Sequence, residues 1–466
     1  MHRRQLLKLT GGLPLMSTAH AQTAPTAIRR NRPSDPGWPS ADQWKGLNAK
    51  VDGQLLALGS PIEACRASPA GAECSAFFRG LKNPWLIGDD PALTQTTGWI
   101  DAWASTPSTY AVAARHAADV AAAVDFARTH RLRLVVKGGG HSYQGTSSAP
   151  DSLLVWTRKM DKIELHDGFV GQGCSDPPQP AMSVGAGAVW LHAYAAAGKA
   201  GRYVQGGGCA TVGVAGLIQS GGFGSFSKRY GLAAAGLIEA EVVTADGQVR
   251  IANGCTNPDL FWALKGGGGG SLGVITRLTL RTRELPDFFG GVFVTVQAKS
   301  DTAYRELIQR FLVFYREQLF NPQWGEQAQF RPDNTLGIAM VFQGLDSDAA
   351  TAAWRPFLAW LAERPADFAL AAPPTIAALP ARHFWDAAWM KANAPDFLLS
   401  DDRPGASADN VFWRTNLGET GWFIEGYESV WMPGRLIEPA SQAQLAQALF
   451  ASSRHWRIAL HFNKGL

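Results

Sequence analysis

KGGGHSYQG at 137–145, GGGCATVGVAGLIQSGGFG at 206–224 and NPDLFWALKGGGGGSLG at 257–273 set runs of glycine against a few single reactive side chains. Glycine lets the backbone approach an anion closely and adopt positive φ, so that successive N–H groups can point at phosphate oxygens. Two nucleotide motifs can be tested against these runs. A Walker loop must end in Gly-Lys-Ser or Gly-Lys-Thr, and none of the three does. Gly268, Gly270 and Gly273 satisfy G-x-G-x-x-G, but Val274-Ile275-Thr276-Arg277-Leu278 follows as a β-like run. The dinucleotide fingerprint must open a helix, so it is excluded too. Taken singly, each glycine cluster reads as a tight turn between strands.

The surrounding pattern is α+β. Tyr110–Ala114 suits a strand, Val120, Val124 and Ala127 fall at helical spacing, and Leu132–Val136 is a compact apolar strand running straight into Lys137. Strands are expected at 153–156 and 163–165 and a short helix at 190–197. A hairpin is expected around Asp246-Gly247, and another strand at 274–281. After Pro286 glycine thins, and helices at 302–318 and 349–363 alternate with strands at 291–297, 327–331 and 336–342. The expected organisation is an export signal at 1–21, a Pro-rich leader at 22–105, a glycine-rich domain at 106–284, and an antiparallel-sheet domain at 285–466.

In their order and spacing, the three glycine segments resemble the berberine bridge enzyme-like branch of the vanillyl-alcohol oxidase family, which carries a PCMH-type FAD-binding domain. The resemblance spans residues 108–284 strongly and the remainder weakly. It implies a PCMH-type domain beside an antiparallel-sheet substrate domain, and FAD held by two covalent bonds. The histidine after the first glycine loop, here His141, would carry the 8α-methyl of the flavin. The cysteine opening the second segment, here Cys209, would bond the flavin's carbon 6. A neutral imidazole and a thiolate are the nucleophiles such bonds need. The bland alternatives are a loop histidine bonded to backbone and a buried or disulfide-bonded cysteine. The cofactor cradle implied comprises Lys137, Gly138, Gly139, Gly140, Ser142, Tyr143 and Gly145. It continues through Gly208, Thr211, Val212, Gly213, Gly216, Ser220, Gly221, Gly222 and Gly224 to Val274. Lys137 stands where arginine is more usual and Ser271 where asparagine is frequent, which leaves the contact of each open.

Export bears on the cysteines. Arg3-Arg4, an apolar stretch and Ala19-His20-Ala21 form a secretory signal of twin-arginine type, the alternative being an ordinary signal for unfolded export. A periplasmic or secreted location favours disulfides. Cys65 and Cys74 lie close in one loop, and Cys174 and Cys255 both sit in turn-like surroundings. Pairing them in that way leaves Cys209 over. With 46% hydrophobic and 18% charged residues and a net charge of +4, the chain reads as globular, with no nucleic-acid partner expected. Neither a membrane span nor a metal site is expected.

The implied chemistry is hydride transfer from a carbohydrate, alcohol or phenol to flavin, with dioxygen reoxidising it to give hydrogen peroxide. Val212 occupies the position that resembles the family's oxygen gate, where a small residue goes with oxidases. The base is not legible; Tyr427, Glu425 and Glu428 are candidates by position. Trp385, Trp389, Trp413, Trp422 and Trp431 could stack on an oligosaccharide, although packing is the commoner role for such residues. The family's C-terminal segment, which returns to cover the flavin, is expected to be missing. Two other readings follow: a dehydrogenase of the same fold with another acceptor, and a catalytically incomplete flavin-binding protein.

Overall fold

A computed structural model describes residues 29–463; the expected export signal lies outside the described residues. Tyr110–Ala113 and Ser152–Trp156 run parallel, as do Arg133–Lys137 and Ser152–Trp156. Helix Ala117–Thr129 connects the first strand to Arg133–Lys137. It starts where the Asp119 carboxylate accepts the N–H groups of Arg115 and His116, at 2.8 and 2.9 Å. Val120, Ala123, Val124 and Ala127 bury one face of it, at the spacing that places residues above one another on a helix. The stretch expected to be an irregular leader builds into this layer. Leu55–Ala57 pairs antiparallel with Tyr110–Ala113, and helix Ala41–Lys50 buries Trp44 and Leu47 in the same core. Trp44 stacks on Tyr110 at 4.2 Å between ring centroids.

A second sheet is antiparallel throughout its main path. Its order is Val249–Asn253, Leu237–Val243, Val274–Glu284, Gln179–Gly185, Ile163–Phe169. Helices Trp190–Lys199 and Val214–Gln219 cover it, with Met182, Val184, Trp190, Ile218 and Val242 fully buried between. The expected hairpin is present: Val243 pairs with Val249 across a turn in which Gly247 has φ +79°.

The third sheet, also antiparallel, runs Phe368–Leu370, Phe288–Ala298, Thr335–Gln343, Trp324–Phe330, Ile458–His461. Helices Asp301–Phe314, Ser347–Ala362 and Pro439–Ser453 cover one face. Val292, Val294 and Val296 point into that core, so Gly291, Phe293 and Thr295 lie on the opposite, open face. The helix expected to continue to 318 changes to a π-helical turn at Tyr315–Leu319. There the buried Lys228 inserts from the second glycine region, donating to Tyr315 Oη and to the Leu319 carbonyl at 3.1 and 3.2 Å. Burial pushes this ammonium down to about 7.

Two disulfides close as the cysteine count anticipated, Cys65–Cys74 and Cys174–Cys255. Cys209 is in neither. No helix among the described residues is long and apolar enough to cross a membrane.

Candidate functional site

The three glycine segments, far apart in sequence, meet. A Cβ built on Gly139 would sit 2.7 Å from the Gly213 nitrogen and 3.0 Å from the Thr211 oxygen. Backbone therefore packs directly on backbone, and only glycine permits that approach. Gly140 then turns the chain at φ +76°. The third segment joins through Gly268, whose N–H donates to the Gln219 carbonyl at 2.8 Å. Gly216 is exposed on its helix, and Ser220, Gly221 and Gly222 form the turn that follows. Gly224 packs against the Gly206 carbonyl, while Val274 is buried in the first core.

This contact brings the two nucleophile candidates to neighbouring loops. The imidazole of His141 is partly buried, with Nε2 3.0 Å from Thr211 Oγ1, two residues after Cys209. Burial, reinforced by the nearby Lys137 charge, lowers its pKa to about 4, so the ring is neutral above that pH. Cys209 is half-exposed, and its sulfur accepts from Asn416 Nδ2 at 3.4 Å. Gly208, just before it, accepts Trp413 Nε1–H at 3.1 Å, and the Tyr194 hydroxyl donates to the Gly207 carbonyl at 2.6 Å. Val212 is half-buried against the second core. Ser142 caps its own turn, its hydroxyl 2.8 Å from Thr146 Oγ1. Gly145 lies under the Trp103 ring.

The side chain of Lys137 is not in the cradle. It is 1% exposed and donates to the carbonyls of Ile87, Asp90 and Leu93 at 2.8, 2.6 and 2.5 Å. An ammonium has three donors, and all are used in clamping the 84–93 stretch beneath the glycine loop. Burial pushes it down to about 7, against the pull of Asp90 and Asp89. At this position only the backbone remains for a ligand.

The C-terminal half also returns to the site. Trp422–Ile424 pairs parallel to Thr96–Trp99, whose Trp99 Nε1 donates to the Tyr143 carbonyl at 2.8 Å. Tyr427 then stacks on Tyr143 with ring centroids 6.0 Å apart and planes within 10°. Glu425 and Glu428, by contrast, are exposed and make no hydrogen bond or ion pair among the described residues. Trp385 and Trp413 pack on each other and on Tyr194 and Phe384, and Trp389 packs on His383. Trp431 is 78% exposed.

One residue escaped the sequence reading. Glu326 lies within strand Trp324–Phe330 yet has φ +68°, a conformation that is costly for a non-glycine residue. Its carboxylate accepts a short hydrogen bond from Ser225, and Oε1 lies 3.5 Å from where a Cβ on Gly208 would be. The Phe462 N–H donates to its carbonyl at 2.7 Å, and the Asn463 side chain accepts from its N–H. This framework aims the carboxylate of the third sheet at the loop that carries Cys209. No sequence pattern marks a glutamate forced to positive φ inside a strand.

Residues 108–253 match the family described as FAD binding domain. An FAD-linked oxidoreductase of Malbranchea aurantiaca is 37% identical over 57% of this chain and 49% of its own length. A VAO-type flavoprotein oxidase of Thermothelomyces thermophilus is 31% identical over 77% of this chain and 65% of its own. The chain is therefore similar to VAO-type flavoproteins and carries an FAD-binding domain at residues 108–253. The crystal structure of a VAO-type flavoprotein from Myceliophthora thermophila C1 shares the fold. It has a TM-score of 0.66 and 24% identity, over 94% of this chain and 90% of that one. The chain spans about half the length of the first curated relatives it matches. The residues at the site fit a flavin of this family: a tight glycine junction, a neutral imidazole, and a thiol outside both disulfides.

Proposed function

We propose that this chain is a VAO-type oxidoreductase that holds FAD through both His141 and Cys209. It would oxidise a carbon bearing both hydroxyl and hydrogen in a carbohydrate, an alcohol or the side chain of a phenolic substrate, with dioxygen as the final acceptor and hydrogen peroxide as product. One observation carries the reading: a neutral imidazole and a thiol stand on two loops locked together by the Gly139–Gly213 contact. Covalent attachment needs an unprotonated nitrogen and an accessible sulfur, and both are supplied.

When bound, FAD supplies the acceptor for a hydride. The residues of this chain have the remaining tasks. Glu326 is the base: as the substrate C–H bond breaks, the hydroxyl proton moves to its Oε2 and a carbonyl forms. Ser225 holds the other oxygen in place. Tyr194 is unsuited to that part, because its hydroxyl is committed to Gly207 and burial raises its pKa well above the ordinary value. Thr211 fixes the His141 ring, and Asn416 bears on the Cys209 sulfur. The return of residues 413–427 to this centre supports a working enzyme over a flavin-binding protein without activity. Val212, small and half-buried beside the Cys209 loop, supports dioxygen as acceptor. The two disulfides suit export to the periplasm or beyond, in keeping with folded, twin-arginine export.

Stopped-flow reduction followed by reoxidation tests this. Reoxidation by dioxygen with stoichiometric peroxide is expected, and reoxidation by quinones alone would make the chain a dehydrogenase. Glu326→Gln should lower kcat roughly 100-fold or more while flavin content stays unchanged. An unaltered kcat would remove Glu326 from the chemistry.

A further inference from the structure

We propose that the open face of the third sheet holds an anion subsite at Arg331, which selects a substrate bearing a carboxylate remote from the carbon oxidised. The inference rests on the reaction centre proposed above and adds a substrate class to it.

Strand pairing places three rows of side chains on that face. Gly291, Val341 and Gly325 form the first row, Phe293, Ala339 and Gln327 the second, and Thr295, Gly337 and Gln329 the third. The first row abuts the second glycine segment, since a Cβ on Gly325 would collide with the Ser225 carbonyl. The other rows lead away from this junction into a groove of about 340 Å³, at whose far end lies Arg331. A Cβ on Gly337 would sit 3.4 Å from Arg331 Nη2, so the guanidinium lies across the sheet at that glycine.

The groove is polar along one edge. Gln329 Nε2 donates to Gln327 Oε1 at 3.3 Å, and Arg331 Nη2 donates to Gln329 Oε1 at 3.4 Å. A guanidinium offers five donors, and this one has a single long side-chain contact. Among the described residues no carboxylate lies within 4.0 Å of it. The nearby acids are engaged elsewhere: Asp301 with Arg454 and Asn334, and Asp333 with the Thr335 N–H. A half-buried cation with vacant donors in a concave, amide-lined groove matches a carboxylate, which can take the guanidinium fork in two parallel bonds. Arg331 lies five steps along the chain from Glu326, roughly 16 Å at the usual rise. The substrate that spans both is therefore extended, with hydroxyl groups for Gln327, Gln329 and Thr295 between its ends. An oligosaccharide ending in an acidic sugar meets these requirements.

Calorimetric titration of the flavin-loaded protein with two oligosaccharides tests the assignment, one ending in a glucuronate and the other in glucose at the same position. Wild type should bind the acidic probe roughly 10- to 100-fold more tightly, with the preference shrinking as salt rises. Arg331→Gln should abolish the preference and leave the neutral probe unaffected, and Arg331→Lys should restore part of it. Unchanged melting temperature and flavin content would show that both variants are folded. Equal binding of the two probes, no binding of the acidic probe, or a preference that survives Arg331→Gln would overturn the subsite. Tight binding of the acidic probe without flavin reduction would count against the hydride-transfer reading and leave the subsite standing.

Discussion

Replacing Gly139 by alanine tests the contact on which the flavin reading depends. The added Cβ would lie 2.7 Å from the Gly213 nitrogen and 3.0 Å from the Thr211 oxygen. Carbon makes ordinary contacts at about 3.5 Å or beyond, so the loops must part by roughly 0.5–0.8 Å. Both obstacles are backbone atoms within strand-tied loops, with no flexible side chain to swing aside. Overpacking of this kind costs about 1–3 kcal/mol. In a unit of about 150–250 residues that lowers Tm by about 2–4 °C per kcal/mol. His141 is two residues along one loop and Cys209 four residues back along the other, so separation should also reduce the covalently bound fraction of flavin. Gly216→Ala is the internal control, because nothing lies within 4 Å of its Cβ and the residue is exposed on a helix. There alanine should stabilise by up to about 1 kcal/mol. Differential scanning calorimetry and the absorbance of denatured protein read both effects. If Gly139→Ala matched wild type in Tm and in bound flavin, contact between the two loops would not be what positions the attachment residues.

Other expectations follow from single interactions. Lys137→Met leaves three buried carbonyls without their donor, at about 1–3 kcal/mol for each orphaned group. Limited proteolysis should then cut within 84–93, where wild type resists. Joint replacement of Cys174 and Cys255 by serine opens a link across 81 residues. Chain entropy gives about 4.5 kcal/mol for a loop of that size, and a fall in Tm of less than about a degree would refute the estimate.

The glycine segments were legible because chemistry and spacing coincide there, yet their physical use was only half visible. A phosphate cradle explains why glycine is allowed at 139 and 213; the structure adds that each is needed to let the other loop close. Lys137 reads as a cradle cation because it adjoins the loop, but the carbonyls that claim it lie 44–50 residues earlier and leave no local trace. The same holds for Trp422–Ile424, which pairs with a strand more than 300 residues away. The return of the chain to the site is therefore invisible when the C-terminus is read alone. Glu326 is hidden for a different reason: alternation places it with Trp324 and Ala328 on the core side of its strand, and nothing in the sequence announces its positive φ. Cysteine pairing succeeded by count, since one local pair and one pair of cysteines in turn-like surroundings left only Cys209 over.

Mass spectrometry of acid-denatured protein tests the covalent flavin most directly. Wild type should yield a single FAD that bridges a peptide containing His141 to one containing Cys209. His141→Ala and Cys209→Ala should each keep the flavin through the other residue, and only the double variant should release it. Wild-type protein that loses its flavin on denaturation would contradict the bicovalent site.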